Sequence, residues 1–275
     1  MTKSSKSPYP RILIIAGSDS GGGAGIQADI KTCAAFGVYS ATAITAITAQ
    51  NTLGVQAVEA LSPALVTAQI KSVLTDIGAD VVKIGMLANR EIIDAVADAL
   101  EQYAPEASIV LDPVMVATSG DRLLDENAVE ALKSRLIPMA EVITPNVPEA
   151  VALTGLPCSD LEELQAAGHA LIKMGAFSAL MKGGHLDTGA MMHDLIVTEE
   201  GTTYMSGPKI RSRHTHGTGC TLASALACGL AAGASLEDAA QAAKDFVYDA
   251  IKTAPKLGSG GKGTHGPLNH GLKPL

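Results

Sequence analysis

Short apolar runs alternate with segments of helical spacing along most of the chain. RILIIAG (Arg11–Gly17) is an apolar run closed by glycine and predicts a buried strand. The next eight residues, SDSGGGAG (Ser18–Gly25), can only be a loop. Further strands are predicted at Ala41–Ala49, Asp80–Gly85, Ser108–Asp112, Glu141–Thr144, Phe177–Met181, Met192–Thr198 and Thr202–Ser206, with a turn at Glu200–Gly201. Helices are predicted at Ile26–Phe36, Pro63–Gly78, Asn89–Tyr103 (capped by its Asn), Asp125–Leu136, Val147–Thr154, Leu161–Met174, Gly217–Ala232 and Leu236–Thr253. The central strands are continuous apolar runs, as strands covered on both faces must be. The pattern therefore predicts a doubly wound α/β sheet with mostly parallel strands. Three segments follow: a flexible N-terminus over 1–10, one domain over 11–255, and a Gly-rich tail over 256–275 that reads as a loop or disordered end.

Composition narrows this picture. The chain has 275 residues with 28 acidic and 20 basic ones, a net charge of −8, which excludes a general nucleic-acid binder. At 47% hydrophobic and 17% charged it is not a disordered composition. Trp is absent and aromatics are 3%, so Ala, Val, Ile, Leu and Met must build the core. Glycine, 28 of 275, exceeds its usual share of roughly 7% and points to close backbone approaches. The uncharged stretch Thr221–Leu236 is too short and too weakly apolar to span a membrane. The first ten residues lack an apolar h-region, and the four cysteines have no metal spacing. The expectation is a cytoplasmic protein with free thiols.

Ligands of such sheets sit beyond the C-terminal strand ends. The loop after Gly17, Gln50, Met86, Asp112, Asn146 and Lys182 fall there. Gly23–Ala28 fits GxGxxA, but no acidic residue lies between Asp29 and Glu59, so a dinucleotide is not expected. Either the loop's bare backbone admits a ligand or partner segment, or it is a flexible surface turn. No P-loop is present. His216-Gly217-Thr218-Gly219-Cys220-Thr221 opens an Ala-rich helix, and its glycines and helix dipole suit an anion hole. The preceding Lys209–His214 carries three fixed positive charges and suits a polyphosphate. The bland alternative is a glycine cap on a core helix behind a solvated basic strand. Asn146 and Glu149 are either hard oxygen ligands for Mg²⁺ or a capping box. Asp112 serves the metal or forms a turn with Pro113. Lys182-Gly-Gly-His185 lets a phosphate approach an ammonium. His169 and His193 read as structural or surface residues.

Taken in order, these segments resemble one family. AGSDSGGGAGIQADIK (Ala16–Lys31), TAITAQNTLG (Thr45–Gly54), KIGML (Lys83–Leu87), DPVMVATSGDRLL (Asp112–Leu124), TPNVPEA (Thr144–Ala150), KGGH (Lys182–His185), THGTGCTLAS (Thr215–Ser224) and GPLNH (Gly266–His270) are similar to the ribokinase-like superfamily. More closely, they resemble the hydroxymethylpyrimidine/phosphomethylpyrimidine kinases of thiamine biosynthesis. One departure is His214, where these kinases often carry Asn.

The resemblance implies a three-layer α/β/α sandwich with a mostly parallel central sheet. It implies phosphorylation of 4-amino-5-hydroxymethyl-2-methylpyrimidine and then of its monophosphate, with ATP and Mg²⁺, by a homodimer. Gln50 would bond the aminopyrimidine; an amide offers a donor and an acceptor side by side. Asp29, Gly17, Met86 and Val114 would surround the ring. Lys182, Asn146, Glu149 and Thr215 would serve the nucleotide, and Asp112 and Glu149 the metal. Gly217, Thr218, Gly219 and Cys220 would form the catalytic anion hole, with Cys220 orienting the alcohol and taking its proton late. A helix N-terminus lowers a thiol pKa, and ATP phosphates raise it again. The rival readings are a pyridoxal/pyridoxine kinase and a catalytically silent ligand-binding protein on the same fold.

Overall fold

The computed structural model describes residues 9–117, 120–121, 123–125, 127–259 and 264–271. Residues 1–8 of the N-terminus that is expected to be flexible lie outside the described residues. Nine strands among them form one sheet in the order β3-β2-β1-β4-β5-β6-β7-β8-β9. They are β1 Arg11–Asp19, β2 Tyr39–Asn51, β3 Gly54–Ala60, β4 Val81–Ile84, β5 Ser108–Leu111, β6 Val142–Ile143, β7 Ser178–Met181, β8 Met191–Val197 and β9 Thr202–Pro208. All pairs from β2 to β7 are parallel; β3, β8 and β9 close the two edges antiparallel.

The helices are α1 Gly25–Ala35, α2 Pro63–Asp76, α3 Arg90–Tyr103, α4 Ala128–Ala131, α5 Val147–Thr154, α6 Leu161–Lys173, α7 Thr218–Ala231 and α8 Leu236–Lys252. The side-chain alternation of β1 shows how the layers arise. Leu13 and Ile15 point into a core completed by α2, α3, α5 and α6, whereas Ile12, Ile14 and Ala16 point into one completed by α1, α7 and α8. The result is the expected ribokinase-like three-layer sandwich. Fully burying each of these Leu and Ile side chains contributes roughly 1.5–3 kcal/mol.

Three expectations need correction. β3 was not expected. Its sequence, GVQAVEA, is short and weakly apolar, and five of its seven residues are exposed on the sheet edge. The helix expected over Asp125–Leu136 is regular only at Ala128–Ala131, then widens into a π turn at Leu132–Leu136 and tightens into a 3-10 turn at Ile137–Met139. The tail does not hang free over residues 264–271. Leu268 is 2% exposed, His270 Nε2 lies 2.9 Å from Thr221 Oγ1, and the Gly266 carbonyl accepts the His216 N–H at 3.1 Å. Packing overrides its Gly- and Pro-rich composition.

Candidate active site

Parallel strands of one sheet all end at the same edge, which brings residues distant in sequence to one place. Gly17, Gln50, Met86, Asp112, Asn146 and Lys182, each at or just beyond a strand end, line a single pocket. Val114, Glu149, Gly217, Gly219 and Cys220 line it too. Thr215 and Thr218 do not: the Thr218 hydroxyl turns back to donate to the Thr215 carbonyl at 2.7 Å. Asp29 is fully buried and also does not line the pocket.

The anion loop is shaped by backbone contact. Gly217 caps α7 in the left-handed region with φ 86°, and a Cβ there would collide with the Gly23 carbonyl. A Cβ on Gly23 would in turn strike the His216 ring. The Gly-rich loop therefore admits a partner segment, the start of the helix that carries Cys220. Asp19, at the end of β1, holds the loop: its carboxylate accepts from the backbone N–H groups of Gly21 (2.8 Å), Gly23 (3.0 Å) and Ala24 (2.8 Å). His216 Nε2 is 2.8 Å from the same carboxylate. Burial alone would raise the Asp19 carboxyl, but the His216 ring and the loop amides outweigh it and hold the group below its ordinary value.

A second cluster carries charge. Lys182 Nζ lies 3.0 Å from Asp112 Oδ1 and 3.8 Å from Glu149 Oε2. Thr144 Oγ1 donates to Asp112 at 3.1 Å. Asn146 and Glu149 form the capping box in full: the Asn146 N–H donates to Glu149 Oε2 at 2.8 Å, and the Glu149 N–H to Asn146 Oδ1 at 3.0 Å. Burial, opposed by Lys182 and reinforced by Asp112, pushes Glu149 up to about 7. Burial works against the Lys182 charge, but Asp112 and Glu149 outweigh it and raise its pKa. Gly183 keeps Lys182 in place, because a side chain there would meet the His193 carbonyl and its N–H donates to buried Asp194 at 2.9 Å.

Beneath the pocket is a buried ion pair that the motif reading passed over. Lys83 and Asp29 are both 0% exposed, and Lys83 Nζ sits 3.0 Å from each carboxylate oxygen. Ser224, one turn after Cys220 on α7, donates to Asp29 at 2.7 Å. A lone Lys inside the apolar run VVKIG was the available signal, since a charge there requires a buried partner. Burial pushes the Cys220 thiol up to about 12 although Lys83 pulls it down. The helix N-terminus therefore does not deliver a thiolate.

A parallel-centred sandwich, a pocket at its C-terminal strand ends and a glycine loop opening α7 define a phosphotransferase of the ribokinase-like class. The profile of the phosphomethylpyrimidine kinase family matches residues 19–269. The hydroxymethylpyrimidine/phosphomethylpyrimidine kinase of Rhizobium meliloti is 49% identical over 94% of this chain and 96% of its own length. The thiamine biosynthesis bifunctional protein ThiED of Geobacter sulfurreducens is 47% identical over 96% of the chain, which spans 53% of that longer protein. The crystal structure of phosphomethylpyrimidine kinase from Clostridium difficile superposes with a TM-score of 0.78 at 42% identity, covering 88% of this chain and 99% of the other. Pyridoxal kinase from Staphylococcus aureus, in complex with AMP-PCP and pyridoxal, gives 0.86 at 33% identity over 96% and 94%. The chain belongs to the phosphomethylpyrimidine kinase family.

Proposed function

We propose that this chain transfers the γ-phosphoryl group of ATP to the hydroxymethyl group of 4-amino-5-hydroxymethyl-2-methylpyrimidine, and then phosphorylates the monophosphate to the diphosphate. The observation that carries this reading is one pocket shared by an amide, an apolar wall and an anion-binding end. Gln50 offers the amide, Met86 and Val114 the wall, and Lys182 with Gly217–Cys220 the anion site. The family relatives named for this activity support it.

Phosphoryl transfer is governed by positioning and charge stabilisation. Gln50 orients the ring by bonding a ring nitrogen and the adjacent amino group. The backbone at Gly217–Cys220, at the positive end of α7, stabilises charge that grows on the transferring group. Lys182 draws the ATP phosphates in. Cys220 keeps its proton and orients the alcohol by hydrogen bonding, and the alcohol proton passes late in the step to an oxygen of the transferred phosphoryl group. Asp112 and Glu149 would hold Mg²⁺. They are hard oxygen donors on the pocket wall, and both face the Lys182 ammonium, at 3.0 Å and 3.8 Å, so their charge is directed to one place. When bound, Mg²⁺ neutralises phosphate charge. Asp29 acts from beneath the pocket rather than on the ring.

We further propose that residues 11–255 act as one kinase domain and that the protein is a cytoplasmic homodimer. Exposed Ile47 on β2 and Leu53 in the turn after it leave apolar area at the sheet edge that association would cover. Light scattering of the purified protein tests it; a monomer would contradict it. Comparison of kcat/KM on the pyrimidine alcohol and on pyridoxal tests the substrate. The pyrimidine is expected to win by at least tenfold, and the reverse order would make the chain a pyridoxal kinase.

A further inference from the structure

Lys182 enters the pocket from a stretch of chain that has already left the sheet. β7 and β8 pair antiparallel from Ala179 with Val197 to Met181 with Leu195, and the ladder stops there. One residue further on, the Lys182 N–H donates to the Pro145 carbonyl at 2.9 Å, which holds the chain on its β6 side. On the β8 side a side chain takes over from the ladder: Asp194 Oδ1 accepts the Gly183 N–H at 2.9 Å. The His193 carbonyl closes on Gly183 as well, since a Cβ there would collide with it. The peptide groups before and after the Lys182 Cα are therefore both anchored, and with them the direction of its side chain. That side chain runs beside the start of α7, where a Cβ on Gly219 would lie 3.4 Å from Lys182 Nζ.

Asp194 is 6% exposed, and a buried carboxylate needs partners for both oxygens. Its Oδ2 meets Lys244 Nζ of α8, itself 7% exposed. Lys244 reaches it across Gly207 of β9, where a Cβ would lie 3.1 Å from Lys244 Cε. Neither Asp194 nor Lys244 lines the pocket. Stability alone does not call for such a pair, because well-packed apolar side chains in place of a buried ion pair are often neutral or stabilising. What an apolar replacement lacks is an acceptor for the Gly183 N–H.

We propose that Asp194 is a positioning residue for Lys182: it clamps the Gly183 amide, Lys244 holds the clamp in place from α8, and the pair thereby sets how tightly the pocket binds nucleotide phosphates. A long, flexible ammonium side chain loses rotamer freedom when it meets an anion. Anchoring the backbone on both sides of it leaves fewer directions to lose, so the phosphates meet an ammonium already aimed at them. The apolar end of the pocket, at Met86 and Val114, does not depend on the clamp.

The proposal rests on Lys182 meeting the ATP phosphates, and the experiment separates the two. The Kd for ATP with Mg²⁺ and the Kd for the pyrimidine alcohol are measured by titration calorimetry on the full chain. Two double variants both lack the ion pair and differ in the acceptor offered to Gly183. In Asp194→Asn with Lys244→Gln, the asparagine oxygen still accepts the Gly183 N–H, and its amide nitrogen donates to the glutamine oxygen. In Asp194→Leu with Lys244→Met, no acceptor remains. The amide variant is expected to bind ATP within about twofold of the wild type, and the apolar variant about fivefold more weakly, the worth of one typical hydrogen bond. Both are expected to keep the pyrimidine Kd within about twofold. Equal ATP Kd values in the two variants, or a pyrimidine Kd that weakens in step with that for ATP, would overturn the proposal. A loss of about fivefold in the amide variant would overturn it too, and this arm decides if the apolar variant does not fold. If Lys182→Met keeps the wild-type ATP Kd, Lys182 does not meet the phosphates and the reading of the pocket fails. If Lys182→Met binds ATP more weakly while the apolar variant binds it as the wild type does, only the positioning role is overturned.

Discussion

Gly217 and Gly23 meet backbone to backbone: there is no room for a Cβ on Gly217 beside the Gly23 carbonyl, and Gly217 sits at φ 86°. This contact joins the loop after β1 to the loop before α7. Gly217→Ala has to move one of them and adds strain of about 1–3 kcal/mol from the left-handed backbone. It is expected to lower kcat/KM more than 100-fold while the circular dichroism spectrum stays native. Wild-type kcat/KM in Gly217→Ala would contradict the role given to the loop.

The Lys83–Asp29 pair gives a stability prediction. Removing one partner of a buried pair leaves an uncompensated charge and costs about 3–5 kcal/mol, whereas replacing both is nearly neutral. Lys83→Met is expected to lower the thermal midpoint by about 10 °C, and Lys83→Met with Asp29→Asn to recover most of it. A double variant no more stable than the single would contradict the pairing.

His270 predicts a pH dependence. Burial, with a smaller push from Lys31, lowers its pKa to about 4. Below its ordinary value near 6.5 the unfolded chain takes up a proton that the folded chain refuses, so stability is lost as pH falls from about 6.5 to about 4. The loss attributable to this ring is up to about 3 kcal/mol. In His270→Gln the thermal midpoint is expected to fall less between pH 7 and pH 5 than in the wild type. Equal falls would show that the ring is not held neutral by the fold.

Cys220 is expected to behave as a protonated thiol. Alkylation by iodoacetamide at pH 8, followed at Cys220 by peptide mass spectrometry, should be slower than for free cysteine, since burial holds its pKa near 12. Cys220→Ala should lower kcat more than tenfold through lost orientation of the alcohol, about 1.4 kcal/mol of barrier. A smaller loss would remove Cys220 from the reaction.

Much of this was legible in the sequence. The buried strands are continuous apolar runs, and each is punctuated at its end by Gly, Asp-Pro or Asn, so the strand-end residues stood out. Asn146 and Glu149 could be read two ways, and the capping box is present in full while both residues still line the pocket. Three things were not legible. β3 has no buried face to impose a period. Asp29 carries a charge that looks like a ligand contact until its partner, 54 residues away, is seen. His270 and Leu268 sit in a segment without periodicity, and only packing against α7 and the loop before it gives them a place.

The central claim is the chemistry itself. The purified chain is incubated with the aminopyrimidine alcohol, ATP and Mg²⁺, and the phosphorylated products are resolved over time. The account predicts a monophosphate that rises first and a diphosphate that follows at its expense, with ADP formed in step. ADP formation no faster than without the pyrimidine, and no phosphorylated ring, would contradict it.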